Sequence, residues 1–525
     1  MKRPAEDPCA EGYRFDGWYT DTAYATPWNF ETMLITEPTT IYAKWVQTTY
    51  TLKSVNDAKK VEAAFGVDSQ YDTVIVDIGE DQVWNTSTIT VPEGKTLILE
   101  SGTIAPEAGY GVENSSTFVM NDGKIQATNA GYSCFYGVEN YGTFVMSGGK
   151  IQATHEVTDG FYGCGIFCKL NSSTTITGGE IEASTDAITT ASSGAVCNIT
   201  ITGGVIKGGN AALNLECNTA ETEPITICGA CELSGAYGIT SGKSSNSNIS
   251  IEGGCILGTT CAINVRGNTG SLTISAGTIQ SSASLIDADI SWEDSGIISN
   301  AEICGPAELI YNCTSDAMPE TGMLPYDLPI SNGAVLKCPV FDVVFDFVYN
   351  YEITQTTAPT EKNPYYAFTF GKPGTVWTVV NPDEMTLNRL SEMKLDGILN
   401  IYDLDLSDGF GVMENRELNL MGNCTLRKGA TMSIFGTCTV EPGAVLTIEP
   451  DAVLTIEGAY GDATGGTCTI SDGATLNNNG TINVGNDDFP NATLNNNGTI
   501  YVYPNATLNG EVNGNDPASP PTEET

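Results

Sequence analysis

The chain of 525 residues contains a single histidine, His155, and only six arginines. Both shortages narrow what it can do. Imidazole-built zinc sites, Ser-His-Asp triads and Cys-His pairs would all have to run through His155, which the sequence places in a loop after a repeat strand. Lysine is scarce as well, so that 22 basic residues face 64 acidic ones and the net charge is −42. A surface of that sign repels phosphate backbones and anionic lipid, which excludes nucleic acid as a partner and fits a soluble protein that must not self-associate. No apolar run reaches the roughly 18 residues of a membrane-crossing helix, so direct membrane insertion is not expected. The opening Met1-Lys-Arg-Pro-Ala-Glu-Asp7 has no apolar stretch behind it to act as a secretory signal.

Charged residues make up only 16% of the chain, while 57 glycines and many Thr, Ser and Asn are present. That balance describes a turn-rich, all-β protein, not an acidic disordered one. The 16 cysteines are scattered singly. The lone Cys-x-x-Cys, Cys228 to Cys231, has no second pair to complete a zinc site. Cys228 and Cys304 hold equivalent places in Ile-Cys-Gly segments three repeats apart, too far for a disulfide. Cys231 and Cys255 fall on neighbouring repeats and are candidates to pair, but the simplest reading of most cysteines is a small core filler. No cofactor motif is present.

What the chain does have is a repeat. Between residues 97 and 310 a short apolar strand, a turn and one more aliphatic recur, closing on Ile104, Ile125, Ile151, Ile181, Ile206, Leu233, Ile256, Ile279 and Leu309. Ser116-Thr-Phe-Val-Met-Asn-Asp-Gly-Lys-Ile-Gln-Ala-Thr128 returns almost unchanged at 142–154. A period in the twenties built of strands implies one solenoid coil per repeat. Each coil parses into a first strand with an inward aliphatic (Val112, Val138, Ile166, Ile188, Leu213, Ile239 or Ile263), a second strand, and a glycine turn into the closing strand. Three strands per coil predict a right-handed parallel β-helix over 97–313. Residues 47–96, with a short helix from Ser54 to Phe65, read as its cap. A connector or small β module is expected over 314–380, with strands at 340–351 and 366–370. A second, shorter-period β-solenoid with a helical cap is expected over 381–514. Its beats are Gly443–Glu449 recurring after eight residues and Thr475–Ile482 recurring after 18, with asparagines stacking at the turns. Residues 515–525 read as a disordered linker.

At the N-terminus, Gly12-Tyr-Arg-Phe-Asp-Gly-Trp-Tyr-Thr-Asp21, Pro27-Trp-Asn-Phe30 and Thr39-Thr-Ile-Tyr-Ala-Lys-Trp45 stand in order. This segment, 1–46 as a domain, resembles the Listeria–Bacteroides repeat, the small β-grasp-like module also called the internalin B-repeat. The match starts near the middle of the module, which implies a piece of a larger protein. Such modules occur in tandem on bacterial surface and secreted proteins, so the resemblance implies an extracellular or cell-surface location. Together with the coils that follow, the order of modules resembles adhesin-like bacterial surface proteins.

Chemistry is thinly signposted. Right-handed β-helices include pectate lyases, polygalacturonases and phage depolymerases, which need a basic residue with calcium or a carboxylate cluster on one sheet face. No Arg-x-Pro-x-x-Arg arrangement appears, and no series of Asn-Thr-Asp, Asp-Asp and Gly-His-Gly runs across the coils. Asp403, Asp405 and Asp408 form one candidate calcium group, with Asp403 and Asp405 placed on one strand face by alternation. Asp287, Asp289, Glu293 and Asp294 form the other. Aromatics crowd the start of the first strands: Tyr110, Tyr132, Phe135, Tyr136, Phe161, Tyr162 and Tyr237. Tyr110, Tyr136 and Tyr237 lie two before an inward aliphatic, so alternation points them inward. Tyr132, Phe135 and Phe161 remain candidates for stacking on sugars. The expectation is a non-enzymatic adhesin or stalk presenting a solenoid face to glycans or host surface proteins. A β-helix lyase or hydrolase, or a non-catalytic glycan-binding module, is the alternative.

Overall fold

A computed structural model of the chain describes all residues except 1–3, 5, 58, 67–68, 108, 129–133, 155–161, 192–195, 220–222, 243–244, 289–300, 306, 312–329, 331–332, 339–350, 358–364, 374–375, 384–385, 388–389, 391–396, 460–464, 486–488, 490 and 522–525. It is almost entirely β, and it falls into two units, one running to Thr273 and one beginning at Ile274.

The first unit opens with an antiparallel pair, β1 (Tyr13–Tyr19) and β2 (Tyr42–Gln47), with a bulge between Phe15 and Gly17. Phe15 packs edge-on against Trp18 and Trp45, which gives this small module its aromatic core. Next come β3 (Thr49–Leu52), a 3-10 turn and the helix α1 (Lys59–Ala64), which buries Val61 and Ala64. The coils then begin: β4 (Thr73–Asp77), β5 (Val83–Thr86), β6 (Ile89–Val91), and above them β7 (Thr96–Ser101), β8 (Thr103–Pro106) and β9 (Tyr110–Asn114). Strands stack in parallel on the strand one coil before, so three sheets run along the solenoid.

The closing aliphatics form one ladder, Ile104 to Ile125 to Ile151 to Ile181 to Ile206 to Leu233 to Ile256, each the register partner of the next. None is more than 1% exposed. The first-strand aliphatics, Val112 through Ile263, form a second ladder of the same kind. Each such side chain contributes about 1.5–3 kcal/mol by leaving water. Trp84 starts the closing ladder one coil earlier than the repeat predicts, as the partner of Ile104. Glycine is required where the coil turns into its closing strand. At Gly149 φ is +74°, and a Cβ would come within 2.5 Å of the Gly123 carbonyl oxygen one coil below.

In the second unit, Ile279, Leu309 and Leu336 continue as register partners. Val335–Cys338 then pairs antiparallel with Tyr366–Pro373, and Leu336 faces Phe368. Parallel pairing resumes at Ile353 to Trp377 and runs through Leu399, Leu418, Cys438, Cys468 and Leu494 to Val512. The strands around 335–380 are thus stitched into the same ladder. The strand expected at 340–351 lies outside the described residues apart from its last position. Of the helical cap expected at the start of 381–514, the described part is capped by Asp383, whose carboxylate accepts the Thr386 N–H at 2.8 Å.

The short beats of the second solenoid are not coils. Val445–Ile448 and Val453–Ile456, the eight-residue repeat, are successive strands of one coil lying in different sheets. Thr475–Asn478 and its copy Thr493–Asn496 also belong to different sheets. A true coil takes about 20 to 30 residues here too, as the steps from Leu418 to Cys438 to Cys468 to Leu494 show. The beat misled because all three faces use the same Thr-aliphatic-polar phrase. Asparagines do stack between coils, but within strands: Asn419 donates to Asn400 at 3.0 Å and Asn509 to Asn483 at 2.9 Å, each its register partner. The buried Asn478 and Asn496 instead donate to the Thr507 and Asn515 carbonyls, each tying a different sheet to the backbone that follows.

Candidate functional site

The residues read from the sequence as candidate ligand contacts do not come together. Tyr132 and Phe161 lie outside the described residues, as does His155. Phe135 is 1% exposed, its ring filling the space over Gly163 of the next coil, where a Cβ would meet the ring at 2.4 Å. It is a core residue, not an outward ring.

Tyr110, Tyr136 and Tyr237 correct the expectation in the opposite sense, because all three are half-buried and not enclosed. The reason is local. Gly137 and Val138 both face inward: a Cβ on Gly137 would meet Ile151 Cγ2 at 2.4 Å, and Val138 is fully buried. Two consecutive inward positions reverse the alternation, so the residue before them turns out. The small residue was visible in the sequence at Gly111, Gly137, Gly165, Ala187, Ala212, Gly238 and Ala262. It is the signal that a straight period-two count overlooks.

Tyr110 stacks on Tyr136 with centroids 5.0 Å apart and planes at 2°, and Tyr136 meets Phe167 at 4.9 Å. Lys169 Nζ lies 3.8 Å from the Phe167 centroid and 5.7 Å from that of Tyr141, and it pairs with Glu139 at 3.0 Å. This is a ladder of rings closed by the chain's own cation. A sugar stacks on an open ring face, and Tyr136 is flanked by rings while Phe167 carries the lysine.

The acidic candidates are dispersed as well. Asp403 sits at a corner with φ +56°, just past the strand Gly397–Tyr402, and its Oδ1 accepts the Asn423 N–H at 2.8 Å. Asp405 belongs to the next strand, in another sheet, so the two carboxylates do not share a strand face. Asp405 is held by Arg427, with Nε at 2.6 Å from Oδ1 and Nη2 at 2.8 Å from Oδ2, while Arg427 Nη1 reaches Glu449 at 3.0 Å. Asp408 is exposed at the following bend. Of the second group only Asp287 is described, half-buried at the end of Ser284–Asp287. Among the described residues no group of three or more His, Cys, Asp or Glu side chains is arranged to hold a metal.

The Asp405–Arg427–Glu449 chain is a rung-to-rung ionic ladder, and it yields a pH prediction. The Arg427 guanidinium holds the Asp405 carboxyl below the usual carboxylate range. A depressed folded pKa means stability that is present above about pH 4 and is lost as pH falls through the folded value. Both groups are half exposed, so solvent screens the pair and its contribution is small. Arg427→Gln is expected to lower the thermal midpoint by a few degrees or less at pH 7, and by less as pH falls through the folded pKa of Asp405. A pH-independent loss in melting scans would mean that Arg427 acts by packing alone.

The cysteines bear on the core. Cys164, Cys168, Cys197 and Cys217 are fully buried, and Cys424, Cys438 and Cys468 nearly so. Burial pushes the Cys168 thiol up to about 12, which makes it inert at neutral pH. Cys231 and Cys255 are out of step: Cys255 is the register partner of Glu232, and Cys231 that of Gly204.

One outward face of the first unit carries two regular columns of uncharged side chains. Thr73, Thr96, Thr117, Thr143, Ser173 and Asn198 form one column of register partners. Beside it Ile75, Ile98, Val119, Val145, Thr175, Thr200, Thr226 and Ser250 form a second. The second column lies between inward-facing positions, and all residues of both columns are half-buried or exposed. In the second unit Thr437, Thr467 and Thr493 repeat the device.

With this geometry in view, comparison with known proteins adds identity at one end of the chain. Residues 1–44 match the Listeria-Bacteroides repeat domain. A protein of Evansella cellulosilytica named "Putative membrane protein" is 40% identical over 63 residues, which is 11% of this chain and 10% of that protein. The match thus spans about a tenth of the relative's length. No solved structure matches the chain. Among the described residues no helix is long and apolar enough to cross a membrane. The chain carries an N-terminal Listeria-Bacteroides repeat domain, a module typical of bacterial surface proteins, followed by a long β-solenoid.

Proposed function

We propose that the chain is a non-catalytic bacterial surface or secreted adhesin, or the stalk of one, and that its solenoid presents a face to a neutral glycan or a host surface protein. The observation that carries this reading is the pair of outward columns running from Thr73 to Asn198 and from Ile75 to Ser250. In a chain of net charge −42, a strip without a charged side chain is the surface that meets a neutral polymer at the lowest desolvation cost. Threonine supplies a hydroxyl and a methyl at each rung from Thr73 to Thr226, and the rungs repeat at the strand spacing of about 4.8 Å. A long polymer then gains many weak, repeated contacts instead of one pocket.

The test is a glycan and extracellular-matrix array screen of the full chain, followed by incubation of the same glycans to look for cleavage. Binding without turnover, reduced at least tenfold by Thr175→Glu with Thr200→Glu, is the expected result. Released oligosaccharides would overturn the non-catalytic reading in favour of a β-helix lyase or hydrolase. Binding indifferent to the two glutamates would remove the strip as the contact face.

A further inference from the structure

The first coil leaves two strand edges uncovered. On one sheet β4 is flanked by β3 below and β7 above, whereas among the described residues β5 pairs only with β8 and β6 only with β9. The Thr103 N–H bonds to the Gln82 carbonyl, that of Glu107 to Thr86, and that of Ser115 to Val91. In a parallel ladder alternate residues turn both backbone groups toward the same neighbour. Trp84 and Thr86 therefore serve β8, and Asn85 between them turns its N–H and carbonyl the other way. Thr90, between Ile89 and Val91, does the same on β6.

Those free edges open onto a groove of about 380 Å³ between β5, β6 and α1. Its floor is apolar, with Phe65, Trp84 and Ile89 each less than a tenth exposed. Its rim carries the hydroxyls of Thr88 and Thr90 and the exposed carboxylate of Glu62. Thr90 Oγ1 donates to Glu113 at 3.2 Å, which brings a second carboxylate beside it, and Glu80, Asp81 and Glu93 are exposed in the segments flanking the two strands. Of the nearby lysines, Lys60 pairs with Asp57 at 2.7 Å and Lys95 with the carbonyls of Ser69 and Tyr71, while Lys59 is exposed at the start of α1, so the carboxylates outnumber the free cation at the rim.

We propose that this groove is a docking site for an extended peptide that adds as a strand to the β5–β6 edge, with apolar side chains over Trp84 and a basic one toward Glu62. Strand addition uses the outward backbone groups of Asn85 and Thr90 for affinity, and the alternating side chains for choice of partner. The acidic rim selects against a second copy of this chain, which would bring like charge to the edge, and in favour of a basic segment.

The probe is a fluorescent ten-residue peptide alternating lysine and valine, titrated into the full chain at 0.15 M salt. One control has the same charge but prolines at alternate positions, and so cannot form a strand. Saturable one-to-one binding is expected, at least tenfold weaker for the proline control. Thr90→Pro removes a donor on the part of the β6 edge that lines the groove, and Asn85→Pro one on the β5 edge beside it; both leave the β8 and β9 sides intact, so each is expected to cost at least tenfold while the thermal midpoint stays within a few degrees. Glu62→Gln is expected to weaken the lysine peptide and not a serine–valine analogue. Equal binding of the proline control would reduce the effect to bulk charge attraction and overturn the proposal, as would absence of binding at millimolar peptide. A concentration-dependent dimer in sedimentation that the peptide dissolves would overturn the choice of occupant, since the edge would then belong to a second copy.

Discussion

Replacing Ile151 by aspartate is expected to destabilise the first unit by about 4 kcal/mol or more, among the largest effects a single substitution has. Ile151 is fully buried between Ile125 and Ile181, and its Cγ2 fills the space that Gly137 leaves by lacking a Cβ. A carboxylate there has aliphatic neighbours above and below and no cation within the ladder. In a solenoid each coil is stabilised chiefly by its two neighbours. The damage should therefore appear as lost hydrogen-exchange protection in the strands Lys124–Gln126 and Glu180–Ala183 before it spreads. Urea unfolding followed by circular dichroism gives the magnitude. Ile151→Val should cost about 1 kcal/mol, and Gln152→Asp, on the outward neighbour, less than about 0.5. An unchanged midpoint for Ile151→Asp would mean that the ladder is not the core.

The ladders were legible because inward aliphatics recur in every coil and nothing else in the sequence explains them. Ile104 to Ile256 could be read one by one, since in a solenoid a residue's environment is another copy of itself. The signal failed where that self-similarity fails. Trp84 opens the closing ladder but stands in a coil that has no earlier copy, so no repeat pointed to it. Counting by two puts Tyr136 on the wrong side because one small residue, Gly137, resets the phase at a corner, and the count assumes a straight strand. Asp403 and Asp405 were assigned one face for the same reason, although the chain turns at Asp403 with a positive φ. In the second unit the phrase Val-Leu-Thr-Ile serves on two faces of a single coil, so similarity in sequence ceased to mean adjacency along the axis. The outward columns were legible only once register was known, because no single threonine differs from any other β-surface threonine.

Asn140 is where a polar residue should matter nearly as much as Ile151. Gly-Val-Glu-Asn recurs at 111–114 and 137–140, and both asparagines are fully buried. The Asn140 Oδ1 accepts from Asn114 Nδ2 at 2.8 Å and from the Gly142 N–H at 3.1 Å. Its Nδ2 donates to the Ser173 carbonyl at 3.0 Å and to Thr174 Oγ1 at 3.1 Å. One side chain thus joins three coils, and Asn140→Leu strands the Gly142 donor and the Ser173 acceptor inside the protein. The expected cost is about 3 kcal/mol, set by the unpaired groups more than by the lost bonds. Asn140→Asp separates the acceptor role from the donor role. The carboxylate still accepts from Asn114 and Gly142 but presents charge to the Ser173 carbonyl, so its pKa in the folded state rises above the unfolded value of about 3.9. Folding then takes up a proton, and stability lost at neutral pH returns as pH falls through the folded pKa. The deficit of Asn140→Asp against the parent chain should therefore shrink between about pH 7 and pH 4, while that of Asn140→Leu stays flat. Chemical denaturation of the three proteins across that range decides it. A flat Asn140→Asp deficit would mean that water reaches the site and that the stack of asparagines is not sealed.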